Sequence, residues 1–410
     1  MATKKTATDP KIVRQLNKTA ILEAVRDNQQ GISRADAARL TVLSRATVSS
    51  IVDELLTAGI VREWGIAASQ GGRPPTLLRL NLDAGYVVGI DMGASHARVV
   101  VADLLGKIVA DAESPMSIAS GPEVCLSLVY PLVDSVLAKI NCGFESVKGI
   151  GVGVPGPVVV SRGMVSAPPI MPGWDGFPIV ERLHSRWHKP VALDNDADLG
   201  ALGEWAFGAG QGISDLVYIK IGTGIGCGMV FDGQIYHGVL GTAGEIGHVT
   251  ISEDGPPCKC GNYGCLEAMA GGEALAQRAQ LAIKAGQTTV LAGKTEITAR
   301  DLAEAALAGD LVSQQLLGDA GRHIGSAIAS LINLLNPGLV LLGGGVVGAG
   351  KFLLDPIGEA VKARSLRSAY NATRIEVAAL GRHSTAMGAV SLALTEVFQY
   401  YVNNHATIAA

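Results

Sequence analysis

Three cysteines crowd into one short loop of the chain, at Cys258, Cys260 and Cys265. The sequence of 410 residues contains six cysteines, so half of them fall within eight consecutive positions. His248 lies ten residues before the first of the three. Three thiolate sulfurs and one imidazole nitrogen are typical ligands of tetrahedral structural zinc. The spacing therefore predicts a zinc site, and the competing interpretation is a loop that reduced cysteines merely fill.

Two glutamates lie close to the predicted metal ligands along the chain. Glu245 is three residues before His248, and Glu267 is two residues after Cys265. A metal in this loop would fix both carboxylates near one place. Carboxylates in a cleft bind sugar hydroxyls through charge-assisted hydrogen bonds, whereas isolated glutamates are more often solvated surface acids. From the residues alone, both interpretations stay open.

Composition argues against membrane and secreted proteins. The sequence is 48% hydrophobic and has a formal net charge of −4. It contains no apolar run that could cross a membrane, and its first residues lack the apolar segment of a signal peptide. These features predict a soluble, cytoplasmic protein of two or three domains without a membrane partner. Disulfides are disfavoured in that compartment, which favours metal ligation by the clustered thiols.

The first part of the chain is basic and has the pattern of a winged helix-turn-helix. Residues 1–80 carry 12 basic and 7 acidic side chains, whereas the remainder carries 21 and 30, so a polyanionic partner is predicted for this head alone. Apolar residues recur at helical spacing, and Ser33 and Ser44 stand where helix caps are expected. The predicted elements are helices at 11–25, 34–40 and from Ser44 to Gly59, a turn at 41–43, and two wing strands at 60–64 and 76–80.

One arginine and short polar side chains lie near the exposed start of the third helix. They suit a helix that reaches base edges in a major groove, although the solvated face of any three-helix bundle has a similar composition. In the wing tip, an arginine between a glycine and a proline suits the narrow minor groove of A·T-rich DNA, and a flexible linker is the alternative. The predicted DNA-binding residues are Arg45, Thr47, Ser49, Ser50 and Arg73.

The body of the chain contains one pattern twice. Residues 86–110 read as three strands separated by a Gly turn and a second turn, and residues 216–238 repeat the arrangement. A duplicated fold has a cleft between its halves, and the Gly turns at 91–95 and 222–228 would face each other across it. Their backbone N–H groups can hold phosphates, although hairpins use glycine as well.

Five stretches of the body resemble the ROK family of sugar kinases and sugar-responsive repressors, which belongs to the actin/hexokinase-like superfamily. A winged helix-turn-helix ahead of such a body resembles the repressor branch. The resemblance implies an α/β fold of two duplicated actin/hexokinase-like (ribonuclease H-like) lobes, with the head at 1–82, the first lobe at 83–200 and the second lobe, with its zinc loop, at 201–410. The matching stretches are VGVPGPV (152–158), APPIMPGW (167–174), LDNDADLGALGEW (193–205), IGTGIGCGMVFDGQIYHGVLGTAGEIGH (221–248) and CKCGNYGCLE (258–267).

The resemblance also implies roles for particular residues. In the family, the Asn and Asp of the NDA stretch, the Glu and His of EIGH and the Glu after the last Cys hold the sugar. Together with the zinc frame, this favours a sugar site over solvated surface acids. The implied sugar-binding residues are Asn195, Asp196, Glu245, His248 and Glu267, and the implied zinc ligands are His248, Cys258, Cys260 and Cys265.

The kinases of the family use that Asp as the general base on the sugar hydroxyl that attacks ATP. This chain departs from their pattern at the first phosphate turn, where Ala94 and Ser95 replace Gly and Thr, and at Pro169, which replaces an Asn of the sugar loop. The Cβ of Ala94 lies where the backbone must approach phosphate closely. If the chain is a kinase that uses ATP, its catalytic residue is Asp196 and its nucleotide-binding residues are Asp91, Gly93, Ser95, Gly222, Thr223, Gly224 and Gly344.

The sequence thus predicts a sugar-responsive transcriptional regulator, a repressor, whose head binds double-stranded operator DNA and whose cleft binds a monosaccharide or a derivative. One recognition helix reads few bases, so a homodimer or a higher homo-oligomer is predicted. An ATP-dependent sugar kinase with a DNA-binding extension is the competing prediction. A zinc-stabilised scaffold with an empty cleft is the third.

Overall fold

Capped helices and a small sheet form the head. The computed structural model describes residues 9–66 and 74–403. Ser33 Oγ accepts a hydrogen bond from the backbone N–H of Asp36 at 3.1 Å, and Ser44 Oγ accepts one from that of Thr47 at 3.1 Å, so both predicted caps begin helices. The elements are α1 (Pro10–Asp27), β1 (Ile32–Ser33), α2 (Arg34–Thr41), α3 (Arg45–Thr57), β2 (Val61–Ile66) and β3 (Thr76–Leu80).

The head is the predicted winged helix-turn-helix, with one strand that the sequence did not reveal. The two-residue strand β1 pairs antiparallel with β3, and β3 pairs with β2. Two residues are too short for a periodicity, which is why β1 was missed. In the turn between α2 and α3, Val42 adopts a left-handed conformation with φ 55° and leaves 89% of its surface exposed. The wing tip at 67–73, which includes Arg73, lies outside the described residues.

A five-stranded sheet forms the centre of the first lobe. Its order is β10-β7-β4-β5-β6, in which β4, β5 and β6 are antiparallel neighbours and β7 and β10 run parallel to β4. The first three strands confirm the pattern predicted for residues 86–110. The elements are β4 (Tyr86–Met92), β5 (His96–Ala102), β6 (Ile108–Pro115), α4 (Pro122–Lys139), β7 (Val147–Val154), β8 (Val158–Val159), β9 (Met164–Val165), α5 (Ile179–Trp187) and β10 (Val191–Asn195).

The second lobe repeats this sheet. Its order is β13-β12-β11-β14-β15, with three antiparallel neighbours followed by two strands parallel to β11, so the predicted duplication is confirmed. The elements that follow β10 are α6 (Asp196–Phe207), β11 (Leu216–Ile221), β12 (Ile225–Phe231), β13 (Gln234–Ile235), α7 (Leu266–Ala270), α8 (Gly272–Lys284), α9 (Ala299–Leu307), α10 (Leu311–Leu335), β14 (Leu339–Gly343), α11 (Lys351–Arg364), α12 (Arg367–Ala372), β15 (Arg374–Val377) and α13 (Ser384–Asn403).

Two helices cross between the lobes. Helix α6 follows the last strand of the first sheet, yet it packs on β11 and β12 of the second sheet. Helix α13 follows the last strand of the second sheet, yet it packs on β4 and β7 of the first, and the two helices pack on each other. The domain boundaries at 1–82, 83–200 and 201–410 remain proposals, and the division at residue 200 runs through α6.

Glycines let the backbones touch at this crossing. A Cβ on Gly388 of α13 would lie 1.7 Å from the carbonyl oxygen of Leu199 in α6. A Cβ on Gly151 of β7 would lie 1.9 Å from the carbonyl oxygen of Ala389 in α13. Real Cβ contacts are essentially never shorter than 3.0 Å, so these positions require glycine for packing.

Helix α13 also joins the head to the body. Gln15 Nε2 of α1 donates a hydrogen bond to Asn403 Oδ1 at 3.0 Å. Buried apolar side chains of the head and of α13 belong to one continuous core, so the head is packed on the body. This shared core includes Ile21, Leu22, Val25, Val390, Leu394, Val397, Tyr401 and Val402.

Helix α10 has one apolar face and one polar face. In α10, the longest helix with 25 residues, Ile324 and Ile328 are buried while Arg322 and Ser330 face solvent. Among the residues that the structure describes, no helix is long and apolar enough to cross a membrane.

The close contact at Gly388 predicts that one added methyl group destabilises the protein. We expect Gly388→Ala to lower the free energy of unfolding by about 3 kcal/mol, the upper part of the usual cost of overpacking, because the obstacle is a backbone carbonyl. Gly358→Ala in α11 is the matched control, since a Cβ there meets nothing within 4 Å. The control is expected to stabilise the protein by about 0.5–1 kcal/mol. Urea unfolding measures both changes, and equal stabilities would contradict the close crossing.

Candidate functional site

The four predicted metal ligands converge. The ligand atoms of His248, Cys258, Cys260 and Cys265 all lie within 4.8 Å of one another. Cys258 Sγ is 3.6 Å from His248 Nδ1, and Cys260 Sγ is 3.7 Å from Cys265 Sγ. Cys265 is buried and Cys260 is exposed, so the group lies at the surface with one buried corner. The four side chains can hold one metal ion between them.

A tight loop brings these ligands together. The backbone N–H of Cys258 donates a hydrogen bond to the carbonyl oxygen of Asn262 at 2.8 Å. Gly264 has a φ of 62°, and a Cβ there would lie 1.6 Å from the carbonyl oxygen of Ser252. Only glycine fits this place, and the turn that it permits returns Cys265 to the other ligands.

His248 links the metal loop to the cleft. Its Nδ1 faces Cys258, and its Nε2 lies 3.8 Å from Glu245 Oε2. Glu267 Oε2 accepts a hydrogen bond from the backbone N–H of Ile225 at 3.0 Å. Burial raises the pKa of Glu245; His248 opposes the rise, and the negative charges of Glu267 and Asp196 add to it. These carboxylates therefore lie close enough to influence one another.

Asn195 and Asp196 lie at the junction of β10 and α6. Asn195 Oδ1 accepts hydrogen bonds from the backbone N–H groups of Ala197 at 2.8 Å and Asp198 at 3.3 Å. Asn195 Nδ2 donates to the carbonyl oxygen of Gly156 at 3.0 Å. Asn195 is thus the N-cap of α6 and keeps one amide hydrogen for a ligand, whereas the side chain of Asp196 remains 14% exposed.

A lysine binds the carboxylate that the sequence assigns to a kinase base. Lys220 Nζ lies 2.8 Å from Asp196 Oδ2 and 3.3 Å from Thr385 Oγ1. Thr385 Oγ1 donates to the carbonyl oxygen of Asp196 at 2.9 Å. Burial alone would lower the pKa of Lys220, but the charges of Asp196 and Asp91 raise it above its usual value. Lys220 is therefore an ammonium ion held between α6 and the start of α13. The sequence analysis did not identify it.

A histidine covers the first predicted phosphate turn. His96 Nε2 is 3.1 Å from Asp91 Oδ2, and a Cβ on Gly93 would lie 2.5 Å from His96 Cε1. Burial alone would raise the pKa of Asp91, but Lys220 and His96 lower it below its usual value. Ser95 is exposed at the tip of the turn. The imidazole thus stands where a phosphate would need to approach bare backbone.

The second predicted phosphate turn is more open. A Cβ on Gly222 would meet nothing within 4 Å, and Thr223 is exposed. A Cβ on Gly224 would lie 1.9 Å from Glu267 Oε2, and one on Gly344 would lie 2.3 Å from a carbonyl oxygen of β11. Contacts within the protein therefore account for two of these glycines without a nucleotide.

The hydroxyl groups predicted to read DNA also hold the head together. Thr47 Oγ1 lies 2.8 Å from Ser44 Oγ, and Ser50 Oγ accepts a hydrogen bond from Arg14 of α1 at 3.1 Å. Arg45 is exposed and forms no ion pair with any residue in the described ranges, so it has the most freedom to reach a ligand. The predicted residues of α3 all lie in its first two turns: Arg45, Thr47, Ser49 and Ser50.

The wing carries a cation–π cluster that the sequence analysis missed. The guanidinium carbons of Arg62 and Arg79 lie 5.0 and 4.5 Å from the ring centroid of Trp64, which is 49% exposed. Arg62 and Arg79 are paired across β2 and β3, so no pattern along one strand reveals the contact. The cluster places two guanidinium groups on the strands of the wing, and that of Arg62 also forms an ion pair with Asp83.

Two further aspartates and a histidine meet near the cleft, and the sequence analysis did not identify this group either. Asp194 Oδ2 is 2.8 Å from His237 Nε2, and the ligand atoms of Asp194, Asp198 and His237 lie within 4.8 Å of one another. The hydrogen bond to Asp194 raises the pKa of His237. Burial, reinforced by the charge of Asp194, raises the pKa of Asp198 well above its usual value.

Comparison with known sequences matches nearly the whole chain to a repressor. The xylose repressor of Caldicellulosiruptor bescii is 32% identical over 392 residues, which span 95% of this chain and 98% of that repressor. The family profile that matches is described as the ROK family and covers residues 87–396, so the head precedes it.

Solved structures of a regulator and of a kinase cover different shares of this chain. The crystal structure of a ROK family transcriptional regulator, a homolog of the E. coli Mlc protein, has a TM-score of 0.82 at 26% identity and covers 95% of this chain and 98% of its own. A ROK family glucokinase from Streptomyces griseus, in complex with glucose and AMPPNP, has a TM-score of 0.69 at 29% identity and covers 76% of this chain and 100% of its own. The regulator accounts for nearly the whole chain, whereas the kinase leaves about a quarter unmatched. On the family profile and the full-length relative, the chain belongs to the ROK family.

Proposed function

We propose that this chain is a sugar-responsive transcriptional repressor of genes for carbohydrate uptake or catabolism. The observation that carries the proposal is α13, a single helix of 20 residues between the cleft and the head. At its start, Thr385 bonds the backbone of Asp196, and at its end Asn403 bonds Gln15 of α1. At about 1.5 Å per residue the helix spans about 30 Å, so a shift of its start in the cleft is passed to the DNA-binding head.

The polar cleft supports a monosaccharide or a derivative as the effector. Asp196, Glu245 and Glu267 offer carboxylate oxygens, Asn195 keeps one amide hydrogen, and His248 Nε2 faces Glu245. Sugar hydroxyls both donate and accept hydrogen bonds, so a cleft with both kinds of group suits them. Xylose is the first sugar to test, because relatives are named xylose repressors, and glucose and N-acetylglucosamine follow from other relatives.

We further propose zinc as the ion of the cysteine loop. Bonds of about 2.3 Å to sulfur and about 2.1 Å to nitrogen at one tetrahedral centre require S···N and S···S separations of about 3.6 and 3.8 Å. The separations observed here are 3.6 Å between Cys258 and His248 and 3.7 Å between Cys260 and Cys265. His248 would bind the ion through Nδ1, and its Nε2 would stay directed at Glu245. The ion would thereby fix the orientation of the Glu245 carboxylate.

The head supports double-stranded operator DNA as the partner. Arg45 is exposed at the start of α3, and Arg62 and Arg79 place positive charge on the wing. A recognition helix in a major groove with a basic wing beside it is a common DNA-binding arrangement. Because one such helix covers few base pairs, we propose that a homodimer or a higher homo-oligomer binds a pseudo-palindromic operator.

A sugar kinase is the less supported function. The candidate base Asp196 is paired with the ammonium group of Lys220, and His96 covers the first phosphate turn. Both groups would have to move before Asp196 could take a proton and before phosphate could reach Gly93. A repressor needs neither change, because a population shift requires only that the sugar bind one arrangement of the lobes better than the other.

The metal proposal predicts about one zinc per chain. We expect Cys258→Ser and Cys260→Ser to lose that zinc and to bind sugar more weakly, because His248 and the carboxylates near it lose their anchor. Cys142→Ser, outside the loop, is the matched control and should keep both properties. Elemental analysis and sugar calorimetry measure them, and protein purified without chelator that holds no stoichiometric metal would exclude the zinc site.

The effector proposal is tested by titrating operator binding with xylose, glucose and N-acetylglucosamine. We expect Asp196→Asn to shift sugar control to higher sugar concentration by a factor of about 10 to 150. This corresponds to about 1.5–3 kcal/mol for a hydrogen bond to a charged group. Operator binding without sugar should barely change. Asp134→Asn, on an exposed position of α4, is the matched control and should leave the titration unaltered.

The same titration separates the repressor from the kinase when it is run with and without ATP. A repressor responds to sugar without ATP, and Asp196→Asn weakens sugar binding. A kinase with Asp196 as its base would lose turnover on this substitution and keep most of its sugar affinity. Sugar control that disappears when ATP is omitted would overturn the proposed function.

The head proposal predicts a sequence-specific role for Arg45. We expect Arg45→Ala to weaken binding to the specific operator by about 1–3 kcal/mol and to weaken scrambled DNA much less, because base-edge contacts carry the discrimination. Arg300→Ala, an exposed arginine of α9, removes the same charge from the body and should change neither affinity. Fluorescence anisotropy at one fixed salt concentration measures both. An equal loss on the two DNAs would mean that Arg45 contacts only the backbone.

A further inference from the structure

A second group of potential metal ligands lies where the two lobes meet. Asp194 belongs to β10 of the first sheet, Asp198 to the first turn of α6, and His237 to the segment that follows β13 of the second sheet. Their ligand atoms lie within 4.8 Å of one another. None of the three is a predicted sugar or zinc ligand, and none belongs to the cysteine loop.

One oxygen of the buried Asp198 carboxyl group lacks a hydrogen-bond partner among the described residues. Asp198 is 4% exposed, and this oxygen is its Oδ1. No lysine or arginine within the described ranges forms an ion pair with Asp194 or Asp198; the only ion pair of Asp194 there is the one with His237. Burying an unpaired carboxylate is costly, so either a proton or a bound cation is expected to neutralise Asp198.

A proton shared between the two aspartates does not fit the geometry. A shared proton would hold two carboxylate oxygens at hydrogen-bond distance, but no hydrogen bond joins Asp194 to Asp198 in the described structure. A cation needs no such contact, because it lies between its ligands. Asp194 Oδ2 and His237 Nε2 are 2.8 Å apart, a hydrogen-bond distance that would have to lengthen only to about 3.0 Å for adjacent ligands on an octahedral ion with bonds of about 2.1 Å.

We propose that Asp194, Asp198 and His237 bind a divalent cation at a site separate from the cysteine loop. Two carboxylates and one imidazole suit a borderline or hard divalent ion such as Mn²⁺ and do not suit the soft ions that thiolates select. His237 is 33% exposed, so further coordination positions are open to water or to a hydroxyl group. The ion replaces the proton that His237 Nε2 shares with Asp194.

This cation would connect β10 of the first lobe with the segment from His237 to Glu245 of the second lobe. Asp194 precedes Asn195 and Asp196 on the chain, and His237 begins the segment that leads to Glu245. That segment already touches the first lobe, since a Cβ on Gly241 would lie 2.4 Å from a carbonyl oxygen of β8. An ion held from both sides would hold the segment against β10 and keep the cleft closed. The binding site itself does not depend on the proposed function.

Titration of the full chain with Mn²⁺, with free Mn²⁺ followed by electron paramagnetic resonance, tests the proposal. We expect one saturable site per chain. Asp198→Asn and His237→Gln should each lower the Mn²⁺ affinity by about tenfold or more, the usual loss when the surroundings of a metal are disrupted. Asp134→Asn, an exposed aspartate of α4, is the matched control and should bind Mn²⁺ like the wild type.

Thermal unfolding of the same proteins shows whether each variant is folded. Asp198→Asn keeps the size of the side chain and replaces a buried carboxyl group whose Oδ1 has no hydrogen-bond partner in the described residues, so it should melt at or above the wild-type temperature without Mn²⁺. At the same Mn²⁺ concentration, the melting temperature of the wild type should rise more than that of Asp198→Asn, because weaker binding stabilises the native state less. An absence of saturable Mn²⁺ binding, or equal affinity in the wild type and both folded variants, would overturn the site. Neither result affects the sugar and operator titrations, which contain no Mn²⁺.

Discussion

Backbone touches backbone where α6 and α13 cross, and the positions of both the cleft and the head depend on that contact. Gly388 brings α13 against the carbonyl oxygen of Leu199 in α6. Each helix leaves one sheet and packs on the other, so the crossing fixes the two lobes relative to each other. It also sets the start of α6, at Asp196, beside the start of α13, at Thr385. The other end of α13 lies under the head, so one helix contacts both the junction at Asp196 and the head.

The charges at this crossing suit a binding protein better than a phosphoryl-transfer enzyme. Lys220 holds the Asp196 side chain in place through a 2.8 Å contact, so its carboxylate is a fixed acceptor for a hydroxyl group. The same pairing opposes general-base catalysis, in which Asp196 would have to take a proton beside an ammonium ion. His96 has a similar effect on the first Gly turn, because its ring fills space over Gly93. A fold shared with kinases thus has side chains of its own over the turn that the sequence predicts for a phosphate.

The cysteine loop shows how a surface segment can determine the geometry of a cleft. Gly264 turns the chain so sharply that Cys265 returns to His248, although 17 positions separate them along the chain. His248 then presents its second ring nitrogen to Glu245. An ion held by these ligands would orient a carboxylate without contacting the effector, which is the usual role of groups that surround a site. On the proposed function, metal binding and sugar binding are therefore coupled through a single imidazole ring.

Local features of the sequence specify the helix starts, the repeated strand pattern and the metal loop. The caps Ser33 and Ser44, the repeated strand pattern of the body and the spacing of the loop cysteines each depend on residues that are neighbours along the chain. Periodicity, capping and ligand spacing act over a few residues, so they can be read without a structure. The same reasoning missed β1, because two residues are too few for a period, and it assigned Asn195 to sugar without recognising that its side chain caps α6.

Only the tertiary structure decided which distant side chains meet. Lys220 contacts Asp196 because β11 and α6 pack together. Arg62 and Arg79 both lie over the Trp64 ring because β2 pairs with β3. Asp198 and His237 come from different lobes, and their meeting depends on how the two sheets are placed around the helix crossing. No local pattern specifies such contacts, because they arise from the packing of whole elements, and the free energy of that packing is shared among many residues far apart in the chain.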